Sequence, residues 1–410
     1  QGACNMLLAL LVSVVALSVD AFQLPSSAGL GHRPSLRAPV SGVSRPQVWT
    51  LAGSISQHDS PPKQLPKLPT TFHALRADAV GSSFRDVATI KEEPMPEPGE
   101  GEVLVKVRFA GINGGCETFR SRGEAGFEGN KNKPDGFHLG AEGAGTVVRT
   151  GPGVEKFSVG EDVLFIGGAF AEYAIVNSAT LIKVKEASKE AVGLRVSATT
   201  SWGAVFSSGQ ASKGKVVLVT AGAGAAGSFA VQFAKQAGCT VVATTSSQAK
   251  AVALCKLGCD HIINYKTRDV DEVLKDKFPD GVDVVIEHVG GKMLQTAINN
   301  CKEGGKVVIV GYISQYPHNA ESERDGTLLE VSEMMWTRET REINGVTVTG
   351  AIYQGMEDIA KGRNKVVEAF ESGQLRSLVD AREFRGLESI PDAVEHMLSG
   401  TTIGKVVVEV

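Results

Sequence analysis

Hydrophobic positions along this chain follow three successive rhythms. From Met6 to Val19 they run almost unbroken as MLLALLVSVVALSV, a stretch too short to cross a bilayer comfortably. From Glu102 to Phe109 (EVLVKVRF) apolar and polar residues alternate with period two, the mark of a half-buried strand. Gly143 to Thr150, Asp162 to Ile166 and Glu172 to Val176 are further strands, separated by Gly-rich turns. From about Ser188 onward, short apolar blocks at 216–219, 240–244, 283–286 and 306–310 alternate with helical stretches. Repeated βα units predict a parallel sheet with helices on both faces. Val346 to Thr349 adds a strand, and a helix pattern runs from about Met356 to Glu371. The tail Gly404 to Val410 (GKVVVEV) is a strand placed to return to the first domain. The fold class is therefore α/β, a β-rich domain beside a doubly wound parallel sheet. Between two such domains a ligand-binding cleft is expected.

The segments before the first strand read as targeting sequence. The apolar run ending near Ala21 has the length of a signal-peptide core. Phe22 to His58 carries Arg33, Arg37 and Arg45, is rich in Ser and Pro, and has no Asp or Glu up to Gln57, which is transit-peptide composition. An apolar signal followed by Ala-Phe and a basic segment resembles the bipartite plastid presequence of algae with secondary plastids. A secreted (or ER) protein with a linker, a mitochondrial protein and a single membrane anchor are the competing readings. Pro61, Pro62, Pro66 and Pro69 make a stiff linker. The expected organisation is a signal-like segment over 1–21, a transit-like segment and linker over 22–66, the β-rich catalytic domain over 67–187, the nucleotide domain over 188–373, and a C-terminal return over 374–410.

Composition narrows the partners. A formal net charge of -4 over 410 residues, with no basic stripe, argues against nucleic acid. The mature form is expected to have no membrane partner. None of the six cysteines forms a CxxC pair, so no disulfide scaffold is implied. Cys255 and Cys259, four apart, read as packed residues more than as a metal or redox pair. Cys116 is either a reactive thiol facing electrophiles or a packed cysteine.

The densest chemical signal is KVVLVTAGAGAAGSFAVQFAK, Lys215 to Lys235. An apolar strand ends in Gly222-Ala223-Gly224-Ala225-Ala226-Gly227 and opens a helix. G-x-G-x-x-G between a strand and a helix lets backbone amides approach a pyrophosphate, with the helix N-terminus adding partial positive charge. The competing reading is a plain Gly/Ala turn. The second strand ends Thr244-Thr245-Ser246-Ser247 with no acid, where NAD-binding units carry an Asp or Glu. Ser246 and Lys250 offer a hydroxyl and a cation to a 2′-phosphate instead, so NADPH is the expected cofactor. The alternative makes Lys250 a solvated helix residue.

Several motifs share one order. Gly111-Ile112-Asn113, Leu139-Gly140-Ala141-Glu142-Gly143-Ala144-Gly145, the Gly-rich turn, Ile263-Asn264-Tyr265-Lys266, Val289-Gly290-Gly291 and Gly311-Tyr312-Ile313-Ser314 fall as they do in one family. From about residue 72 onward the chain resembles the medium-chain dehydrogenase/reductase superfamily, in its zinc-free quinone oxidoreductase and prostaglandin reductase branch. The resemblance implies a GroES-like catalytic domain, a Rossmann domain and a homodimer pairing edge strands near Val346 to Thr349. It puts Tyr265 at a 2′-phosphate ligand position, with packing as the alternative. It puts His288, Val289, Tyr312, Ile313 and Ser314 along the nicotinamide ribose and carboxamide. His288 is then either a proton donor or, more simply, a hydrogen-bonding wall residue. Ile313-Ser314-Gln315-Tyr316 matches an Ile-Ser-x-Tyr motif whose Tyr assists enone reduction; the alternative is a loop aromatic that only packs. Asn113 matches an Asn near nicotinamide and substrate, or else is a turn residue bonding its own backbone. Phe137 and Trp202 are cleft wall or core, and the polar stretch Tyr316 to Glu330 is a loop over the cleft. Zinc is not expected. Relatives that use it carry a Cys in the motif after the first strand, where Asn113 stands nearby and Cys116 follows three residues later, and a His where this chain has Ala141, and a third ligand falls in Ser197-Ala198-Thr199-Thr200. The activity implied is NADPH-dependent reduction of the C=C of an enone or enal. The alternatives are a quinone substrate and a non-catalytic NADPH-binding scaffold or sensor.

Overall fold

The structure is a computed structural model and describes residues 67–316, 330, 334–336, 339–351 and 356–410. The two leader segments, and the part of the loop after Tyr316 that spans 317–329, lie outside the described residues.

The N-terminal part is an antiparallel β assembly. Strands β1 (Thr71–Ala77), β2 (Ala88–Pro94) and β4 (Phe137–His138) form a three-stranded sheet around β1. A larger sheet centres on β3 (Glu102–Gly111), which pairs antiparallel with β5 (Glu142–Thr150) and with β7 (Tyr173–Asn177). Strands β6 (Asp162–Ile166) and β8 (Ile182–Lys183) extend it beyond β5. The alternation read in EVLVKVRF is real. Val103, Val105 and Val107 enter one core, Leu104 points to a smaller cluster with Phe72 and Tyr173, and Lys106 is exposed. Each of those valines removes a side chain from water, about 1.5–3 kcal/mol apiece.

The second sheet has the order β11-β10-β9-β12-β13-β15-β14. Its strands are β9 (Val216–Val219), β10 (Thr240–Thr245), β11 (His261–Asn264), β12 (Val282–Glu287), β13 (Cys301–Ile309), β14 (Thr340–Ile343) and β15 (Val346–Gly350). All pairings are parallel except β14–β15. These strands are apolar on both faces because both faces are covered. Val217 and Val219 enter one core while Leu218 enters the other, and β10 repeats this with Val241, Ala243 and Val242. Strand β15 was expected at the sheet edge. It is interior, because the polar hairpin partner β14 (TREI) covers it and becomes the edge. The sequence of β14 is too polar and short to show a strand period.

Helices α1 (Gly114–Arg122), α2 (Ala225–Gln236), α3 (Gln248–Lys256), α4 (Val270–Lys277), α5 (Gly291–Asn299), α6 (Met356–Glu371) and α7 (Ile390–Leu398) complete the frame. Between β8 and β9 a helical stretch carries two wide π turns, Leu194–Ala198 and Gly203–Ser208. The tail does return. Strand β17 (Val407–Glu409) pairs with β3, and β16 (Phe384–Arg385) pairs with β17. On the way Gly404 bridges to Gly224, which ties the tail to the Gly-rich turn. Among the described residues no helix is long and apolar enough to cross a membrane.

Candidate active site

Strand order reverses between β9 and β12, which opens a crevice at the carboxyl ends of the strands. A cleft of about 580 Å³ lies there. The glycines of the turn are required by contact, not by backbone angle. A Cβ on Gly222 would lie 2.8 Å from the Ala243 Cβ, and one on Gly227 would lie 2.4 Å from the Ala221 carbonyl oxygen. A Cβ on Gly224 would meet only the Ala221 oxygen, at 3.2 Å, and Gly224 lines the cleft. The left-handed residue of the turn is Ala221, with φ 47°. It is held there by its amide bonding Thr244 Oγ1 at 3.1 Å and by the Gly224 amide bonding its carbonyl at 2.9 Å. Gly224 caps α2 with no side-chain hydrogen bond, so the first-turn amides beside Ala225, Ala226 and Gly227 stay available to an anion. The cradle fits a pyrophosphate.

At one end of the cleft stand Ser246, Lys250, Tyr265, Gly400 and Thr402. The Lys250 ammonium donates to the Gly400 carbonyl at 2.6 Å and to Ser246 Oγ at 3.1 Å. It is half-buried, and burial holds its pKa below the usual lysine value. Lys250 is therefore not a freely solvated helix residue. Tyr265 is 42% exposed at the rim, with the Lys266 ammonium 5.5 Å from its ring centre.

At the other end, the loops after β12 and β13 are pinned together. The Ile313 amide donates to the His288 carbonyl, and the Ser314 amide and hydroxyl both donate to the Val289 carbonyl, the hydroxyl at 2.6 Å. Glu287, which sequence reasoning passed over, is fully buried beneath them and accepts from the Val289 and Gly290 amides and from Thr220 Oγ1. Burial pushes its carboxyl up to about 7. His288 bonds the Thr220 carbonyl through Nδ1 at 2.9 Å. A carbonyl only accepts, so Nδ1 carries the proton, and the enclosed Nε2, which has no partner among the described residues, is an acceptor. Burial lowers the His288 pKa to about 4. Of its two readings, the wall residue fits; a neutral imidazole with no proton on Nε2 does not donate there.

Tyr316 lines the cleft and is 6% exposed. Its ring packs edge-on against Phe119 at 5.1 Å. Its hydroxyl accepts a long bond from the Tyr312 amide, at 3.4 Å, and donates none among the described residues. A Cβ on Gly115 or Gly311 would lie 3.1 Å from that hydroxyl, so both glycines make room for it. Burial raises the phenol above its usual pKa, which keeps the proton on. Tyr312, expected in the wall, stands behind it. It is buried, accepts a hydrogen bond from Trp336 Nε1 at 3.0 Å, and does not line the cleft. Phe137 and Trp202 also leave the cleft; the first is core of the β domain and the second packs on Phe206. Cys116 lines the cleft, but burial pushes its thiol up to about 12, so it is no thiolate at neutral pH. The apolar wall comes from Met293, Met335, Trp336, Met397 and Leu398. These residues come from distant loops and helices and carry no local motif.

Two family models match this layout in chain order, an alcohol dehydrogenase GroES-like domain over residues 99–186 and a zinc-binding dehydrogenase over 225–361. The "Probable quinone oxidoreductase" of Leishmania amazonensis is 37% identical, over 83% of this chain and 99% of its own length. The Prostaglandin reductase-3 of Mus musculus is 35% identical, over 83% of this chain and 90% of its own. A 2-alkenal reductase (NADP(+)-dependent) of Nicotiana tabacum is 35% identical over 48% of this chain and 55% of its own. The solved quinone oxidoreductase of Coxiella burnetii superposes with a TM-score of 0.68, 27% identity, covering 83% of this chain and 99% of that one. The chain belongs to the quinone oxidoreductase and prostaglandin reductase branch of the medium-chain dehydrogenases/reductases. It is an oxidoreductase with that family's GroES-like and Rossmann-like parts.

The family model's name implies zinc, and the residues do not fit it. The positions in question hold the Asn113 amide, with the Cys116 thiol three residues on and kept protonated by burial, the Ala141 methyl, and the hydroxyls of Ser197, Thr199 and Thr200. Lys405, from the returning tail, puts its ammonium between Asn113 and Glu142, bonding Asn113 Oδ1 at 2.9 Å and pairing with Glu142 Oε1. A fixed cation already sits against the group that would have to ligate a second one. Asn113 does bond its own backbone, to the Gly111 carbonyl at 3.3 Å, but its shorter bond goes to Glu142 Oε1 at 2.9 Å. Lys405 escaped the sequence reading because a lysine before a terminal strand looks like a solvated one.

Proposed function

We propose that this oxidoreductase uses NADPH to reduce the activated C=C of an α,β-unsaturated ketone or aldehyde, with enals and oxylipin- or prostaglandin-like enones as the substrate class. Relatives named as a prostaglandin reductase and as an NADP(+)-dependent 2-alkenal reductase support this reading. When bound, NADPH supplies a hydride to the β-carbon of the substrate. Negative charge then gathers on the substrate carbonyl oxygen, and a preorganised donor at that point lowers the barrier. The observation that carries the reading is Tyr316, a protonated phenol in the cleft wall whose hydrogen has no acceptor among the described residues. Lys250 and Ser246, with no carboxylate at the end of β10, would hold the 2′-phosphate, joined at the rim by Tyr265, the position the family resemblance points to. The first-turn amides of α2 would hold the pyrophosphate, and His288, Val289, Ile313 and Ser314 would flank the nicotinamide.

A quinone substrate is the second reading, favoured by the quinone oxidoreductase relatives. The test is NADPH oxidation by the chain across short enals, oxylipin enones and quinones, with product analysis. A saturated carbonyl supports the proposal; turnover confined to quinones, giving quinols, overturns it. Residues 1–66 add a proposal of plastid targeting, on their acid-poor, Arg- and Ser-containing composition. A fluorescent fusion of that segment found in the secretory pathway or mitochondria instead would reject it. Homodimerisation is likewise proposed from family membership, with sedimentation as its check.

A further inference from the structure

Behind the zinc-free centre lies a buried charge pair with an amide locked into it. Lys405 is 1% exposed and Glu142 0% exposed. Asn113 spans them. Its Oδ1 accepts from the Lys405 ammonium at 2.9 Å, while its Nδ2 donates to Glu142 Oε1 at 2.9 Å and to the Gly111 carbonyl at 3.3 Å. The other Glu142 oxygen is taken by the Val196 amide at 2.8 Å. The amide has one stable orientation. Flipped, it would press an NH2 against an ammonium and a carbonyl against a carboxylate.

Among the described residues both hydrogens of Nδ2 are thereby used, and what the Asn113 side chain keeps for the cleft it lines is the second lone pair of Oδ1. We infer that Lys405 and Glu142 are positioning residues that make Asn113 a hydrogen-bond acceptor, so that this end of the cleft selects ligand N–H and O–H donors. A separate observation agrees. His288, which lines the same cleft, holds its proton on Nδ1 against the Thr220 carbonyl, so its ring brings no second N–H donor to this end. The inference rests on the proposed nicotinamide reading, since a carboxamide and a ribose hydroxyl are such donors.

The experiment measures dissociation constants of the full chain, by calorimetry, for NADPH and for 2′,5′-ADP, which lacks the nicotinamide end. Lys405→Met alone strands a buried carboxylate and risks unfolding, so the pair K405M/E142Q is used. The NADPH-to-2′,5′-ADP affinity ratio should fall about tenfold in Asn113→Ala, as expected for one lost hydrogen bond to the ligand. It should fall equally in K405M/E142Q and no further in the triple variant, because the pair acts only through Asn113. The rearranged network N113D/E142Q keeps an acceptor at 113, a counter-charge for Lys405 and a donor at 142. It should hold the ratio within about threefold of wild type. Additive losses, an unchanged ratio in K405M/E142Q, or loss in N113D/E142Q would each overturn the inference. If K405M/E142Q does not fold, N113A and N113D/E142Q decide it. A wild type that binds NADPH no better than 2′,5′-ADP overturns the inference along with the nicotinamide reading. Tight NADPH binding without turnover sinks only the reductase reading, and the ratios remain decisive here.

Discussion

Replacing Lys250 with methionine removes a half-buried cation while keeping most of its apolar stem. The ammonium now bonds Gly400 and Ser246, and burial already disfavours its charged form. A 2′-phosphate about 4 Å away at an effective dielectric near 20 gains roughly 4 kcal/mol from one unit charge. Loosening the bond to the Gly400 carbonyl returns about 1 kcal/mol, and salt screening trims the rest. A net of ~2–3 kcal/mol remains, equivalent to a loss of about 30- to 150-fold in NADPH affinity. NADH has no 2′-phosphate, so its affinity should change less than about threefold. The assay is fluorescence titration of both cofactors at fixed ionic strength, wild type against Lys250→Met. Wild-type NADPH binding should also weaken as pH rises through the lowered Lys250 pKa, a step the variant lacks. Equal loss for both cofactors, or unchanged NADPH affinity, would refute the reasoning.

Tyr316→Phe keeps the ring packing on Phe119 and removes one donor, so turnover on an enone should drop about 10²-fold with NADPH affinity unchanged; equal turnover excludes the role. Gly227→Ala drives a Cβ to 2.4 Å from the Ala221 carbonyl oxygen; thermal melting should show a lower Tm and calorimetry weaker NADPH binding. Glu117 is fully buried, and burial raises its carboxyl to about 7 from 4.5. Its folded pKa lies above the unfolded one, so its contribution is full below about pH 4.5 and is lost as pH rises toward 7, by up to ~3 kcal/mol. Glu117→Gln should flatten that fall, and urea melts at pH 5 and pH 8 that differ equally in both proteins would exclude it.

Much of this is legible in the amino-acid sequence. The Gly-rich turn, the acid-free end of β10 and the two-part fold follow from short-range patterns, because a strand, a turn and a helix in sequence leave a local signature. What escaped was long-range or polar. Strand β14 hides its edge position in TREI. Helix α1 begins with two glycines, which oppose a helix locally; the ring of Tyr316 against Gly114 and Gly115 explains their presence. Lys405 and Glu142 are 263 residues apart, so no local pattern joins them. Tyr312 sits in a motif whose neighbours line the cleft, and only packing shows that its own side chain turns away.

The central claim is that the cleft directs its reducing equivalent to a conjugated carbon. The most direct measurement is the product formed from a simple enone in the presence of NADPH deuterated at the transferred position. The account predicts the saturated ketone with deuterium on the β-carbon. An allylic alcohol with deuterium on the carbonyl carbon, or no product from any enone while quinones are consumed, would contradict it.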